Sequence, residues 1–114
     1  MTATQLELFP IVEPTYDEEM SLADRFAAFH AANPHVADAL EILADQWLAA
    51  GHRKVGMKAL VERLRWESGI RTRGDGYVLN NSYTAFYARL LIARRPEWAD
   101  AIQTRRALAD QAVA

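Results

Sequence analysis

Val36, Leu40, Leu43 and Trp47 stand at spacings of four, three and four, the repeat of one helical face. Asn33–Pro34 breaks the chain just before this stripe and Gly51 just after it. Stripe and breakers together commit the chain to short helices, each packed by one face. The same reading extends along the sequence. Ser21 opens a first helix with Asp24 three residues on, a capping-box-like pair, and Leu22, Phe26 and Phe29 share a face to about Ala32. Asn33 can cap the second helix and Pro34 suits its first turn. His52 to Gly56 forms a basic connector with room for one brief strand. A third helix follows from Met57 to Ser68, ended by Gly69, with Met57, Leu60, Val61 and Leu64 inward. Ile70–Arg73, the turn Gly74–Asp75–Gly76 and Tyr77–Leu79 read as a β-hairpin. Asn80, Asn81 and Ser82 start a fourth helix that runs to about Arg94, with Tyr83, Phe86, Tyr87, Leu90 and Leu91 as its stripe. A last helix begins near Pro96, with Trp98 and Ile102 inward. The expected fold is mainly α, a small domain of about five helices with one short β-hairpin, helix-turn-helix-like. Its expected limits are residues 21–106, between a flexible acidic tail, 1–20, and a frayed end, 107–114.

Charge divides the chain more sharply than its net value of −2 implies. Residues 1–50 hold one base, Arg25, and nine acids, whereas residues 51–114 hold twelve bases and six acids. The halves therefore carry −8 and +6. Ten of the twelve bases are arginine, whose guanidinium fork suits phosphate oxygens. Such asymmetry points to a nucleic-acid surface with an acidic tail, or to acids of the first half pairing with bases of the second.

Near the start stands Gln5-Leu6-Glu7-Leu8-Phe9. It resembles the peptide by which bacterial replication and repair proteins dock on the sliding clamp of DNA polymerase III. Four positions match that pattern by identity; Glu7 stands where it prefers Ser or Asp. The resemblance implies that Gln5 hydrogen-bonds at a polar subsite, that Leu8 and Phe9 fill an apolar pocket, and that Leu6 touches its rim. An extended segment with alternate apolar side chains can be read by a groove in this way. The same side chains can instead pack on the domain's own core.

Phe29-His30, Asn33-Pro34, Arg65-Trp66-Glu67, Asn80-Asn81 and Tyr87-Ala88-Arg89 together resemble a group of short phage and prophage proteins, over about residues 22–106. That resemblance implies a phage-type context and a shared fold, and no mechanism. Within the segment, Asn80, Asn81 and Thr84 at a helix start and Arg89 two turns on suit phosphate and base contacts. Arg71 and Arg73 on the hairpin can act as a wing. His52, Arg53, Lys54 and Lys58 form a second basic cluster. The plainer reading makes the asparagines caps and pairs the arginines with acids. Trp66 is expected at the edge of the core, and Tyr83 and Tyr87 within it.

Catalytic signatures are missing. The chain has no cysteine, so disulfides, thiolate zinc sites and cysteine nucleophiles are excluded. His30 and His35 are five apart across a helix break, which matches no zinc spacing. Gly74-Asp75-Gly76 lacks the rest of a phosphate loop. Glu62, Glu67 and Asp75 are the one carboxylate set from which a metal nuclease site can be imagined. No apolar run approaches the ~20 residues of a membrane span, and no leader-like start is present. The expectation is a cytoplasmic, non-enzymatic protein without metal, cofactor, membrane contact or small-molecule substrate. Its expected partners are the sliding clamp and double-stranded DNA. A helix-turn-helix transcriptional regulator and a host-directed protein inhibitor, its acidic half mimicking DNA, are the alternatives.

Overall fold

The computed structural model describes residues 10–72 and 80–104, the side chains of 69–72 excepted. Four α-helices carry the domain: α1 (Leu22–Ala32), α2 (Pro34–Ala49), α3 (Met57–Thr72) and α4 (Thr84–Arg94). Two strands of two residues, β1 (Val55–Gly56) and β2 (Ile102–Gln103), pair in parallel with Val55 opposite Ile102. Two 3-10 turns, Asn81–Tyr83 and Pro96–Trp98, flank α4. The architecture is mainly helical with a minimal sheet.

Local chemistry places most helix ends as expected. The Ser21 hydroxyl accepts a bond from the Asp24 amide at 3.1 Å and opens α1. Gly51, at φ +108°, supplies the left-handed residue that stops α2. Asn80 accepts from the Ser82 amide at 2.9 Å and opens the turn into α4. The helices then bury one face each. Phe29 of α1, Val36, Leu40 and Leu43 of α2, Met57, Leu60, Val61 and Leu64 of α3, and Tyr87 and Leu91 of α4 form a single core. Val55, Trp98 and Ile102 belong to the same core. Phe26 is the hub of an aromatic cluster: its ring meets Phe86 face to face at 5.1 Å and Tyr87 edge-on at 4.8 Å.

Asn33 does something other than cap α2, to which its side chain gives no hydrogen bond. The amide turns toward the N-terminal segment. Its Oδ1 accepts from the Val12 amide at 2.7 Å, and its Nδ2 donates to the Val12 carbonyl at 2.7 Å and the Phe29 carbonyl at 3.0 Å. A primary amide offers the donor and acceptor of a peptide group side by side, so Asn33 pairs with Val12 as a neighbouring strand would. Ile11 packs on the core beside this pair, and the Tyr83 hydroxyl donates to that of Tyr16 at 3.4 Å. Residues 10–20, expected as loose tail, form no helix or strand but are fastened to the domain at Ile11, Val12 and Tyr16.

Three elements differ from the sequence reading. α3 continues through Gly69 to Thr72, so Ile70–Thr72 of the expected first arm are helix; Arg73, the turn and the second arm lie outside the described residues. A single interior glycine costs a helix only about 1 kcal/mol, less than the hydrogen bonds of another turn can return. The helix expected from Pro96 is one 3-10 turn, because Ile102 is drawn into pairing with Val55. Trp47, expected inward, is 46% exposed: its ring lies on His52 and its Nε1 on the Lys54 carbonyl, while Ala44 and Leu48 keep the same stretch of α2 on the core. Among the described residues no helix is long and apolar enough to cross a membrane.

Candidate nucleic-acid interface

The basic half of the chain divides into spent and unspent cations. Arg94 reaches back to α2 and meets Asp38 at 2.9 Å and Glu41 at 3.1 Å. Arg95 meets Asp45 at 3.3 Å and Glu97 at 2.9 Å, and lies over the Trp98 ring at 4.3 Å. Asp38, Glu41 and Asp45 recur at helical spacing along α2, so one acidic stripe neutralises two arginines from the far end of the chain. Arg95, hydrogen-bonded to Glu97, holds that carboxyl below its ordinary range. Arg63 pairs with Glu67 one turn along α3 at 2.8 Å. Acids of the first half do face bases of the second, for Arg94 and Arg95.

Three further cations cluster at the connector between α2 and α3 and the start of α3. Arg53 and Lys54 are exposed there, and Lys58 is exposed in the first turn of α3. Among the described residues none of the three makes an ion pair. Beside them the Trp47 indole stacks on the His52 imidazole, centroids 3.7 Å apart and planes within 10°. Its Nε1 donates to the Lys54 carbonyl at 2.8 Å, which fixes the ring against the connector. Ring pair and connector line an open groove of about 480 Å³. Leu43, Val55, Ala59 and Leu60 are among its apolar lining residues, and Gln46, Lys54 and Arg63 among its polar ones. Arg53 and Lys58 adjoin the lining residues Lys54 and Ala59 in the chain.

The other expected contact residues sit elsewhere. Asn80 spends its side-chain oxygen on the Ser82 amide, as the cap reading held. Asn81 is exposed, Thr84 is half-buried as the first residue of α4, and exposed Arg89 lies over the Phe86 ring at 4.7 Å. None of these lines the groove. Arg71 belongs to the last turn of α3, not to a wing; Arg73 lies outside the described residues, as do Gln5, Leu6, Leu8 and Phe9. Trp66, 65% exposed, is further out than an edge position. Tyr83 and Tyr87 are core residues.

Sequence reasoning missed Trp47 and Gln46 as surface-site residues. The signal was present: Trp47 stands four residues before the helix-stopping Gly51 and six before the basic run, beside the connector. Among the described residues no group of three or more His, Asp or Glu side chains could hold a metal ion. His30 is packed parallel to Phe26 at 6.0 Å, and its Nδ1 is buried without a partner among the described residues. Burial, reinforced by Arg94, lowers its basicity below the ordinary histidine value. The chain matches no family model, no curated protein and no solved structure.

Proposed function

We propose that the protein is a non-enzymatic, phage-type accessory factor of DNA replication or repair. It docks on the bacterial sliding clamp through Gln5, Leu6, Leu8 and Phe9, and holds DNA against a basic helical surface. The observation that carries the DNA half is the division of cations: Arg94 and Arg95 are neutralised within the fold, whereas Arg53, Lys54 and Lys58 remain unpaired among the described residues. Unneutralised cations gathered beside an exposed aromatic pair are the ordinary footprint of a phosphate-bearing partner. Arg89, Asn81 and Thr84 supply a second set of contacts at the start of α4.

The clamp half rests on the pentapeptide, and the anchoring of Val12 favours it in one respect. Phe9 lies three residues before Val12, so Phe9 is tethered within about 10 Å, and Gln5 within about 24 Å, of a fixed point on the domain. Such a tether turns a weak contact between domain and DNA into an effectively intramolecular one once the clamp is engaged. The acids of α2 are occupied by Arg94 and Arg95, which counts against a DNA-mimicking inhibitor.

Two titrations of the full-length chain test the reading. Affinity for purified clamp should vanish in Leu8→Ala/Phe9→Ala; retention would remove the docking role. Duplex affinity should fall in Arg53→Ala/Lys54→Ala/Lys58→Ala, with the log–log salt slope reduced by roughly 2.7 for three lost phosphate contacts. An unchanged slope would remove these three residues from the DNA surface.

A further inference from the structure

We infer that the groove between the end of α2 and the start of α3 is a seat for single-stranded nucleic acid, in which an unpaired base stacks at the Trp47–His52 pair while adjoining phosphates meet Lys54, Arg53 and Lys58. The inference rests on the nucleic-acid reading above and narrows its substrate class from duplex to single strand.

Three observations carry it. First, the aromatic pair is flat, fixed and open. The Trp47 Nε1 bond to the Lys54 carbonyl holds the indole in place, and the residue keeps 46% of its surface exposed while lining the groove. A duplex hides its base faces, so this surface has nothing to stack on unless the base is unpaired. Second, the space is of ligand size, about 480 Å³, lined by the apolar Leu43, Val55 and Leu60 and by the Gln46 amide. Third, the cations run on along the same connector, from Arg53 and Lys54 to Lys58 one turn into α3. A stacking platform beside a track of positive charge is how strand-tracking proteins hold a chain without reading its sequence.

An acidic peptide would satisfy the charges but not the shape. Aliphatic anchors gain most from enclosure, and this groove is open; stacking needs only one exposed face. Trp66 is also exposed but lines no part of the groove, which makes it an internal control.

The test follows tryptophan fluorescence of the full-length chain titrated with a thymidine oligonucleotide of about ten residues. The same oligonucleotide annealed to its complement, thymidine monophosphate and a polyglutamate peptide serve as comparisons. The single strand should quench the fluorescence and bind at least tenfold more tightly than the duplex. Trp47→Ala should weaken the single strand by roughly tenfold, the contribution of one stacked base, and leave the duplex unchanged. Trp47→Phe should restore most of the loss, which a merely unfolded connector would not do, and Trp66→Phe should change nothing. Lys54→Gln/Lys58→Gln should weaken the single strand with the ring pair intact. Duplex bound as tightly as single strand, with Trp47→Ala silent, would overturn the inference and leave the DNA reading standing. Binding of the peptide alone, or of no nucleic acid, would overturn both. Monophosphate bound as tightly as the oligonucleotide would show a nucleotide pocket in place of a strand seat.

Discussion

Asn33 shows how much one side chain can organise. It is fully buried and its amide makes three bonds, two to Val12 and one to Phe29. Asn33→Ala strands those backbone groups, and unmade bonds of buried groups cost about 1–3 kcal/mol each where water cannot reach them. The Val12 side of the site is partly exposed, so the expected loss is about 2–3 kcal/mol, read as a drop in the urea midpoint with the slope unchanged. The same substitution should free residues 10–16 to proteolysis before the domain unfolds. Tyr87 presents the reverse case. Its hydroxyl is buried and has no partner among the described residues, and burial raises its pKa. Tyr87→Phe removes an unsatisfied group and keeps the ring that meets Phe26. Stability should hold or rise by about 1 kcal/mol; a loss of that size would reveal a hydrogen bond to the hydroxyl.

At the scale of elements, legibility followed how local the deciding force was. Helix starts at Ser21 and Asn80 and the stop at Gly51 are decided within one turn of chain, and each was readable. Gly51→Ala tests the last of these: nothing crowds a methyl group there, but φ of +108° strains any side chain. About 1 kcal/mol should be lost in thermal unfolding, with no change in the core. What the sequence hid was decided at a distance. The end of α3 depends on whether Gly69 is a stop or a tolerated interior residue, and a helical pattern alone does not say. The turn at Pro96 depends on Val55, far back in the chain, claiming Ile102. Trp47 fits the stripe of α2, but its ring is claimed by His52 and the Lys54 carbonyl of the connector that follows, which the stripe alone does not show. The candidate site was legible as cations, Arg53, Lys54 and Lys58, and illegible as a groove. The packing of α1 on α4 adds a pH dependence. His30, stacked on Phe26 and facing Arg94 and Asp38, has a lowered folded pKa. The unfolded chain then binds the proton first as pH falls below about 6.5, so stability present at neutral pH declines on acidification. A urea midpoint that falls between pH 7.5 and 5, with the fall diminished in His30→Phe, is the expected result; parallel profiles would assign the decline to other groups.

Over the whole molecule, opposite charge in the two halves performs two separable tasks. One set of arginines folds the chain back on itself: Arg94 spans from α4 to Asp38 and Glu41 of α2 and ties the late helix to the early one. The other set, Arg53, Lys54 and Lys58, makes no ion pair among the described residues. A molecule with a net charge of only −2 can therefore carry an acidic stripe that is satisfied and a basic edge that is not. The two tasks predict opposite phenotypes. Arg94→Ala should cost about 1 kcal/mol at low salt, less as salt screens the pair, and leave affinity for nucleic acid unchanged. Arg53→Ala/Lys54→Ala/Lys58→Ala should leave stability within about 0.5 kcal/mol, as exposed substitutions without partners do, and abolish most nucleic-acid affinity. Urea unfolding and oligonucleotide titration on the same two variants measure both axes. If Arg94→Ala weakens binding as much as the triple substitution does, the charge of the molecule acts as one diffuse field, and the division into folding and binding cations fails.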